Sequence, residues 1–148
     1  MKLSKKGEYG IQAISHLAGR HDEGVIHIRE IAEHEAIPAK FLEGILLQLK
    51  RAGVVTSRRG VEGGYALAKP PHRVMLGEVI RVLDGPLAPL GSAEELKEMM
   101  AGNPRQAGLY AILMDVRNAA AEILDRTSFA DLVRRNRELR ETPKADPI

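Results

Sequence analysis

Two short segments carry the side chains best suited to contact nucleic acid. In the first, Lys40 and Glu43 stand just after Pro38, where a helix is predicted to begin. A lysine can reach a phosphate or a guanine edge, whereas a carboxylate facing DNA is repelled by phosphate unless a cytosine amine donates to it. Glu43 therefore has two interpretations: a base contact, or a residue of a solvated face that pairs with Lys40 or Arg51.

The second segment is a basic, glycine-rich stretch between two strand-like runs. Arg58 and Arg59 precede glycines that allow close approach of the backbone to another surface. Arginine in such a hairpin commonly enters a narrow minor groove, drawn by its negative potential. The alternative is a solvated arginine pair on an ordinary hairpin. Glu62 at the tip favours that alternative, because its carboxylate would face phosphate if it pointed inward.

No pattern typical of catalysis or of metal binding accompanies these segments. The sequence contains no P-loop, no dinucleotide-binding glycine pattern and no nucleophile–base pair, so we expect no enzymatic activity. The spacing of the five histidines suggests no site; they are His16, His21, His27, His34 and His72. We therefore expect neither metal ligands nor a cofactor.

The composition narrows the class of protein. A chain of 148 residues with only 3% aromatic residues and no tryptophan is unlike proteins that stack single-stranded bases on aromatic platforms. Residues 1–70 carry 11 lysines and arginines against 8 acids, and residues 71–148 carry 11 against 12. The first half is therefore slightly the more basic; such a small difference by itself is typical of a solvated surface, but the charges cluster where a DNA-reading module would place them.

Nothing in the sequence directs the chain to a membrane. The first six residues are basic, but no apolar run follows them as in a signal peptide. No apolar stretch approaches the roughly 20 residues that cross a bilayer. We expect a cytoplasmic protein.

The elements that must position the two DNA-facing segments are predicted from apolar spacing and capping residues. A short helix, a turn and a longer helix give helix–turn–helix geometry, in which the second helix offers its first residues to the major groove. The predicted elements are a helix at residues 5–19 capped by Ser4, a short strand at 25–28, helices at 29–35 and 39–52, strands at 54–58 and 65–68, and a helix at 75–83.

The second half is dominated by one long apolar helix, residues 106–126. Its apolar residues cover more of its surface than a small monomer can bury, which indicates a dimer. The predicted dimerisation residues are Leu109, Ile112, Leu113, Val116, Ala120 and Ile123. Before this helix the pattern loosens into a linker or remodelled loop with a weak helix at residues 93–100. After it, Thr127 and Ser128 precede a last helix at residues 129–139.

Several strings resemble the Rrf2 family of bacterial winged-helix transcription regulators. They are Lys2-Leu-Ser-Lys-Lys-Gly-Glu-Tyr, Ile31-Ala-Glu, Phe41-Leu-Glu, Leu49-Lys-Arg-Ala-Gly-Val-Val, Arg59-Gly-Val-Glu-Gly-Gly-Tyr-Ala-Leu-Ala-Lys, Leu76-Gly-Glu-Val-Ile and Thr127-Ser-Phe-Ala-Asp-Leu. The resemblance implies a homodimer on a partly palindromic operator, with the long helices crossed between subunits. It also implies that Glu43 helps to select between DNA motifs.

The chain departs from that family where many members hold a [2Fe–2S] cluster with three cysteines. It has no cysteine; Gly108 stands where the third cysteine falls and Ala111 where a histidine ligand falls. Because iron–sulfur clusters are held by thiolates, no cluster is expected. Glu8, a carboxylate ligand in some relatives, should instead pair with Lys5 or Lys6.

Control would then come through a small molecule, a protein partner or simply the expression level of the protein. A small apolar ligand would lie near Leu83, Leu87, Leu90, Met99, Met100 and Tyr110, unless these residues simply pack the head against the long helix.

The sequence thus predicts a mainly α protein that binds a double-stranded DNA operator as a homodimer. A winged helix–turn–helix head spans residues 1–84, a linker 85–105, dimerisation helices 106–140 and a disordered tail 141–148. The rival interpretation is a protein-interaction module that kept this fold and lost DNA binding. The predicted DNA contacts are Arg29, Pro38, Ala39, Lys40, Glu43, Lys50, Arg58, Arg59, Gly60, Gly63 and Gly64.

Overall fold

A computed structural model describes residues 2–87 and 91–142, and within them the chain is mainly helical with one small sheet. The predicted mainly α, winged helix–turn–helix fold is confirmed. The elements are α1 (Lys5–Gly19), α2 (Ile28–Glu35), α3 (Ala39–Arg51), β1 (Val55–Arg58), β2 (Gly64–Leu67), α4 (Leu76–Asp84), α5 (Ala93–Gly102), α6 (Ala107–Arg126) and α7 (Phe129–Glu141). Of the tail predicted at residues 141–148, residues 143–148 lie outside the described ranges.

Helix α1 lies at the centre of the head and packs against α2, α3, α4 and α7. It begins where predicted, because the Ser4 hydroxyl accepts a hydrogen bond from the Gly7 N–H at 2.9 Å. Its Ile14 is completely buried in one cluster with Leu42 and Leu46 of α3. Full burial of each such side chain contributes about 1.5–3 kcal/mol, so this cluster fixes α3 on the head.

A tight turn joins α2 to α3. Ala36 takes the left-handed conformation with φ 54°, and the Ile37 N–H donates to the Ala32 carbonyl at 2.9 Å. Ile37 is buried, while Pro38 stands directly before α3 and remains exposed. This turn sends α3 away from α2 with its first residues at the surface.

The strand predicted at residues 25–28 does not form as such. Only Ile26 pairs with another strand, through an isolated bridge to Tyr65, and Ile28 already begins α2. The reason is local: the His27 ring accepts a hydrogen bond from the Arg29 N–H at 3.1 Å and caps a helix that begins one residue earlier than predicted.

The stretch predicted as a linker, residues 85–105, contains a proper helix. The Ser92 hydroxyl accepts from the Glu95 N–H at 3.1 Å and caps α5, which packs on α6. Leu96 is its one fully buried residue. A helix that buries a single side chain has little apolar periodicity, which explains why its sequence signal is weak.

Helix α7 returns to the head instead of extending the dimerisation arm. Phe129 is fully buried in the head core, and its N–H donates to the Val74 carbonyl at 2.8 Å. Ser128 and Asp131 form a capping box at the start of the helix. The boundary predicted at residue 106 therefore does not separate α7 from the head.

Helix α6 is tied to the head by an ion pair. The Arg81 guanidinium of α4 donates to both carboxylate oxygens of Asp125, at 2.5 and 2.8 Å. In residues 2–87 and 91–142 no helix combines the length and apolar character needed to cross a bilayer.

Candidate nucleic-acid interface

One face of α3 presents Lys40, Glu43, Leu47 and Lys50 to solvent. Their spacing of three, four and three residues places them in one row along the helix. All four are exposed, whereas Leu42, Ile45, Leu46 and Leu49 on another face are buried in the core. We call this row the outer stripe of α3. It is the face that α3 would offer to a DNA groove.

The charged residues of the outer stripe form no ion pairs with the described part of the chain. In particular, Glu43 pairs with neither Lys40 nor Arg51, so the surface pairing considered for it is not formed. Pro38 and Ala39 are exposed at the beginning of the helix. The partial positive charge of a helix N-terminus favours an anion such as a phosphate at this end.

The wing is the antiparallel pair of β1 and β2, in the register Val55 with Leu67 and Arg58 with Gly64. Gly60 turns the chain at its tip with φ 107°, a conformation that favours glycine. A Cβ on Gly63 would lie 2.4 Å from the Arg58 carbonyl oxygen, and one on Gly64 only 2.3 Å from that of Ile26. At these two buried glycines a side chain is therefore excluded by the protein's own backbone.

The wing is held to the segment that enters α2. Ile26 and Tyr65 exchange two backbone hydrogen bonds, each 2.8 Å long. The bridge adds a third, one-residue strand to the hairpin. It fixes the position of the hairpin relative to the helix–turn–helix.

A groove of about 330 Å³ lies between the wing, the end of α3 and the beginning of α2. Three basic residues line it together: Lys50 from α3 and Arg58 and Arg59 from the wing. None of the three pairs with an acid in residues 2–87 or 91–142. The other lining residues are His27, Ile28, Ser57, Gly60, Gly63, Gly64 and Tyr65. Of the predicted contacts, Arg29 is exposed outside this groove.

Two apolar residues of this surface were missed by the sequence analysis. Leu47 is 44% exposed in the outer stripe, and Val61 is 99% exposed at the tip of the wing. Leu47 continues the helical spacing of Lys40 and Glu43, which is the signal that could have identified it. Glu62, the acidic residue that favours the rival interpretation, is also exposed.

The predicted dimerisation residues form a partly uncovered row on α6. Ile112 is 61% and Ile123 is 65% exposed, and Leu109 and Val116 are exposed to nearly half. Leu113 and Ala120 are half-buried. No residue of α6 is buried in the single chain, although the helix is rich in apolar side chains.

The residues at the cluster positions of the family do not fit an iron–sulfur cluster. Gly108 is exposed and has no side chain, Ala111 offers no donor atom, and the chain contains no thiolate. Glu8 lies 3.5 Å from the Lys5 ammonium, as one of the expected pairs.

The residues predicted to surround a ligand pocket differ in their exposure. Leu83 and Leu87 are buried, Met99 is half-exposed, and Leu90 lies outside the described ranges.

Comparison with known proteins gives consistent matches over most of the chain. Residues 3–135 match the family described as "Rrf2: Iron-dependent Transcriptional regulator". The HTH-type transcriptional regulator CymR of Bacillus subtilis is 36% identical over 132 residues, 89% of each protein. The structure of CymR, described as the global cysteine regulator of B. subtilis, superposes with a TM-score of 0.74 at 34% identity over 90% of this chain and 96% of CymR. A structure of T. potens IscR has a TM-score of 0.72 at 31% identity, over 98% of this chain and 94% of that one.

Proposed function

The chain belongs to the Rrf2 family of DNA-binding transcriptional regulators, and from that premise we propose that it reads a specific operator as a homodimer without an iron–sulfur cluster. The observation that carries the proposal is the continuity of the outer stripe of α3 with the basic groove under the wing. Lys50 belongs to both. A duplex whose major groove holds α3 would therefore bring its backbone to Arg58 and Arg59.

The exposed side chains then divide into two roles. Lys40, Lys50, Arg58 and Arg59, which pair with no acid among residues 2–87 and 91–142, supply positive charge that neutralises phosphates and gives affinity without sequence preference. Glu43 supplies selectivity, because a carboxylate in the major groove is tolerated where a cytosine amine donates to it. Leu47 lies between Glu43 and Lys50 and suits the methyl group of a thymine.

A second copy of the chain would cover the apolar row of α6. A row with Ile112 and Ile123 more than half exposed is typical of a surface that another molecule buries. Specific protein–protein interfaces bury about 1,600 Å² or more in total, so we expect neighbouring residues to join the α6 row in the interface. A two-fold dimer presents two copies of α3, so the operator should be partly palindromic.

The signal that controls this regulator must then come through a small molecule or a protein partner. No thiolate is available to bind a cluster that senses iron, oxygen or nitric oxide. The donor atoms of this chain do not suit the family's cluster, so no step of the regulation passes through one. The DNA-binding surface itself remains complete without it.

The function is tested by selecting bound duplexes from fragmented genomic DNA or a randomised library with purified protein. We expect one partly palindromic motif to be enriched, and a salt-dependent mobility shift with that motif. Lys40→Ala should weaken the shift, whereas Lys97→Ala, which removes an exposed lysine of α5, should not. If the protein retains no DNA even at low salt, the result would support the rival interpretation, a protein-interaction module with this fold.

A further inference from the structure

His16 of α1 and His34 of α2 meet at the carboxylate of Glu35. Oε2 of Glu35 lies 2.7 Å from Nδ1 of His34 and 3.4 Å from Nδ1 of His16. The two imidazole rings stand edge to face, with centroids 4.8 Å apart. The sequence analysis found no site among the histidines, because this contact joins two helices and has no signature in the spacing along the chain.

The buried histidine of this cluster has an unused ring nitrogen. The His16 side chain is only 4% exposed, and its Nε2 has no hydrogen-bond partner within the described residues. Nearly all buried polar atoms in proteins are hydrogen-bonded, so such an exception calls for a physical explanation. The His16 nitrogen that faces Glu35 is the other one, Nδ1, at 3.4 Å from Oε2, so Nδ1 is the atom available to a cation shared with Glu35.

We propose that His16, His34 and Glu35 form a binding site for a divalent transition-metal cation of the zinc class. One ligand atom from each residue already lies within 4.8 Å of the other two. Zinc binds nitrogen and oxygen at about 2.0–2.2 Å, so tetrahedral ligands stand about 3.4 Å apart. The ligand atoms therefore have to approach one another by only about 1.4 Å at most. His34 can make this movement, because its side chain is 70% exposed and can change rotamer.

The donor set determines which cations suit the site. Two imidazoles and one carboxylate favour Zn²⁺ and its neighbours Cu²⁺, Ni²⁺ and Co²⁺, whereas Mg²⁺ and Ca²⁺ prefer oxygen alone. Three protein ligands leave one position for water or an exogenous ligand. That position faces a cavity of about 290 Å³, lined in addition by Ser15 of α1 and Asn136 of α7.

The charges around the cavity are compatible with a cation. Arg20 lines it, but its guanidinium is already bound by Glu23 and Glu30. Arg140 also lines the cavity, and this exposed side chain can turn toward water. The Glu35 carboxylate stands between the two histidines and compensates part of the metal charge.

A cation here would fasten α2 to α1, next to the turn that leads into α3. The three ligands are distinct from every residue of the outer stripe and of the groove under the wing. Metal binding is therefore measured independently of DNA binding, and either property can be present without the other.

The test is titration of tag-free protein, first treated with a chelator, with Zn²⁺ by calorimetry and with Co²⁺ by visible absorption. We expect one saturable site per chain. His34→Ala and Glu35→Gln should weaken Zn²⁺ binding at least about tenfold. His72→Ala, which removes an exposed histidine elsewhere on the head, should leave Zn²⁺ binding unchanged. Arg140→Ala should bind Zn²⁺ at least as tightly, since it removes a like charge.

A second readout guards against variants that fail to fold. Zn²⁺ should raise the melting temperature of the wild type and of His72→Ala, but not that of His34→Ala, because a ligand stabilises the state that it binds. If His16 and Glu35 were only a structural pair, the exposed His34 would not matter. The proposal is overturned if the wild type shows no saturable binding, if His34→Ala binds as tightly as His72→Ala, or if Arg140→Ala binds more weakly.

Discussion

Ile26 and Tyr65 exchange two backbone hydrogen bonds of 2.8 Å and thereby hold the wing against the entrance of α2. The pair lies far apart in sequence but sets the distance between the two DNA-facing elements. Its geometry depends on Gly64, the neighbour of Tyr65, because that residue has no side chain where the Ile26 carbonyl approaches. A wing that is fixed in this way can present its arginines to a duplex at little cost in conformational entropy.

Gly64→Ala should displace the wing and weaken operator binding more than it weakens the fold. The new Cβ would lie 2.3 Å from the Ile26 carbonyl oxygen, so the hairpin must move. Overpacking of this kind costs about 1–3 kcal/mol. Gly102→Ala is the matched control, since a Cβ there meets nothing within 4 Å. Thermal unfolding and operator affinity should be measured together, and unchanged affinity in Gly64→Ala would refute the role given to the bridge.

Glu43→Ala should broaden the set of operators that the protein accepts. The carboxylate disfavours bases that cannot donate to it, and removal of such a contact relaxes discrimination by about 1–3 kcal/mol at one position. Glu33→Ala, which removes an exposed acid of α2, should leave the preference intact. The measurement is selection from a randomised library with each variant. The same consensus for Glu43→Ala and for the wild type would contradict the prediction.

Ile112→Asp should produce a monomer and abolish tight operator binding. Its charge would be buried without a partner in the row that a second copy covers. Asn118→Asp adds the same charge to an exposed position on the side of α6 away from the apolar row and should remain dimeric. Light scattering coupled to size-exclusion chromatography distinguishes the two. A wild-type monomer at micromolar concentration would remove the basis of this prediction.

The fold should lose stability on acidification through two carboxylates. The Arg81 guanidinium lowers the pKa of Asp125, and the Ser128 backbone N–H and hydroxyl lower the pKa of Asp131. Because these values lie below those of the unfolded chain, near 3.9, the stabilisation is present above that pH. It is lost as the pH falls through the folded values.

The variant Asp131→Asn tests this dependence. It removes one of the carboxylates whose pKa is lowered in the fold, so its stability should vary less between about pH 5 and pH 2 than that of the wild type. Asp115→Asn, whose carboxylate has no hydrogen bond or ion pair in the described ranges, should retain the wild-type profile. The free energy of unfolding in urea at several pH values is the measurement. The same dependence of unfolding free energy on pH in the wild type and in Asp131→Asn would contradict the prediction.

Protein purified without oxygen should contain no acid-labile sulfide. Because the chain has no cysteine, nitric oxide and thiol oxidants should leave operator affinity unchanged. Sulfide assay and affinity before and after treatment are the measurements. Stoichiometric sulfide, or an affinity that responds to nitric oxide, would contradict the cluster-free account.

The sequence predicted those elements whose buried residues recur at a regular spacing or whose capping residue lies next to them in the chain. Helices α1 and α3 were predicted to within one residue, because Ser4 caps the first and Leu42, Ile45 and Leu49 mark the buried face of the second. The exposure of Lys40, Glu43 and Lys50 followed from that register. The length of α5 could not be predicted from the spacing of apolar residues, because this helix buries only Leu96.

What escaped prediction depends on contacts between distant segments. The roles of Gly63 and Gly64 depend on carbonyls that approach them only in the folded wing. Burial of Phe129 brings α7 onto the head, and packing of α1 on α2 brings His16 to His34. Spacing along one element cannot reveal such juxtapositions.

The central claim is that the wing and the outer stripe of α3 bind DNA together, and the salt dependence of operator affinity tests it most directly. The logarithm of affinity should fall linearly with that of salt. The double variant Arg58→Ala, Arg59→Ala should reduce the slope by about one for each phosphate that the wing no longer neutralises. The control of equal charge is the double variant Arg135→Ala, Arg137→Ala, which removes two exposed arginines of α7 and should keep the wild-type slope. A wing variant with the slope and affinity of the wild type would contradict the account.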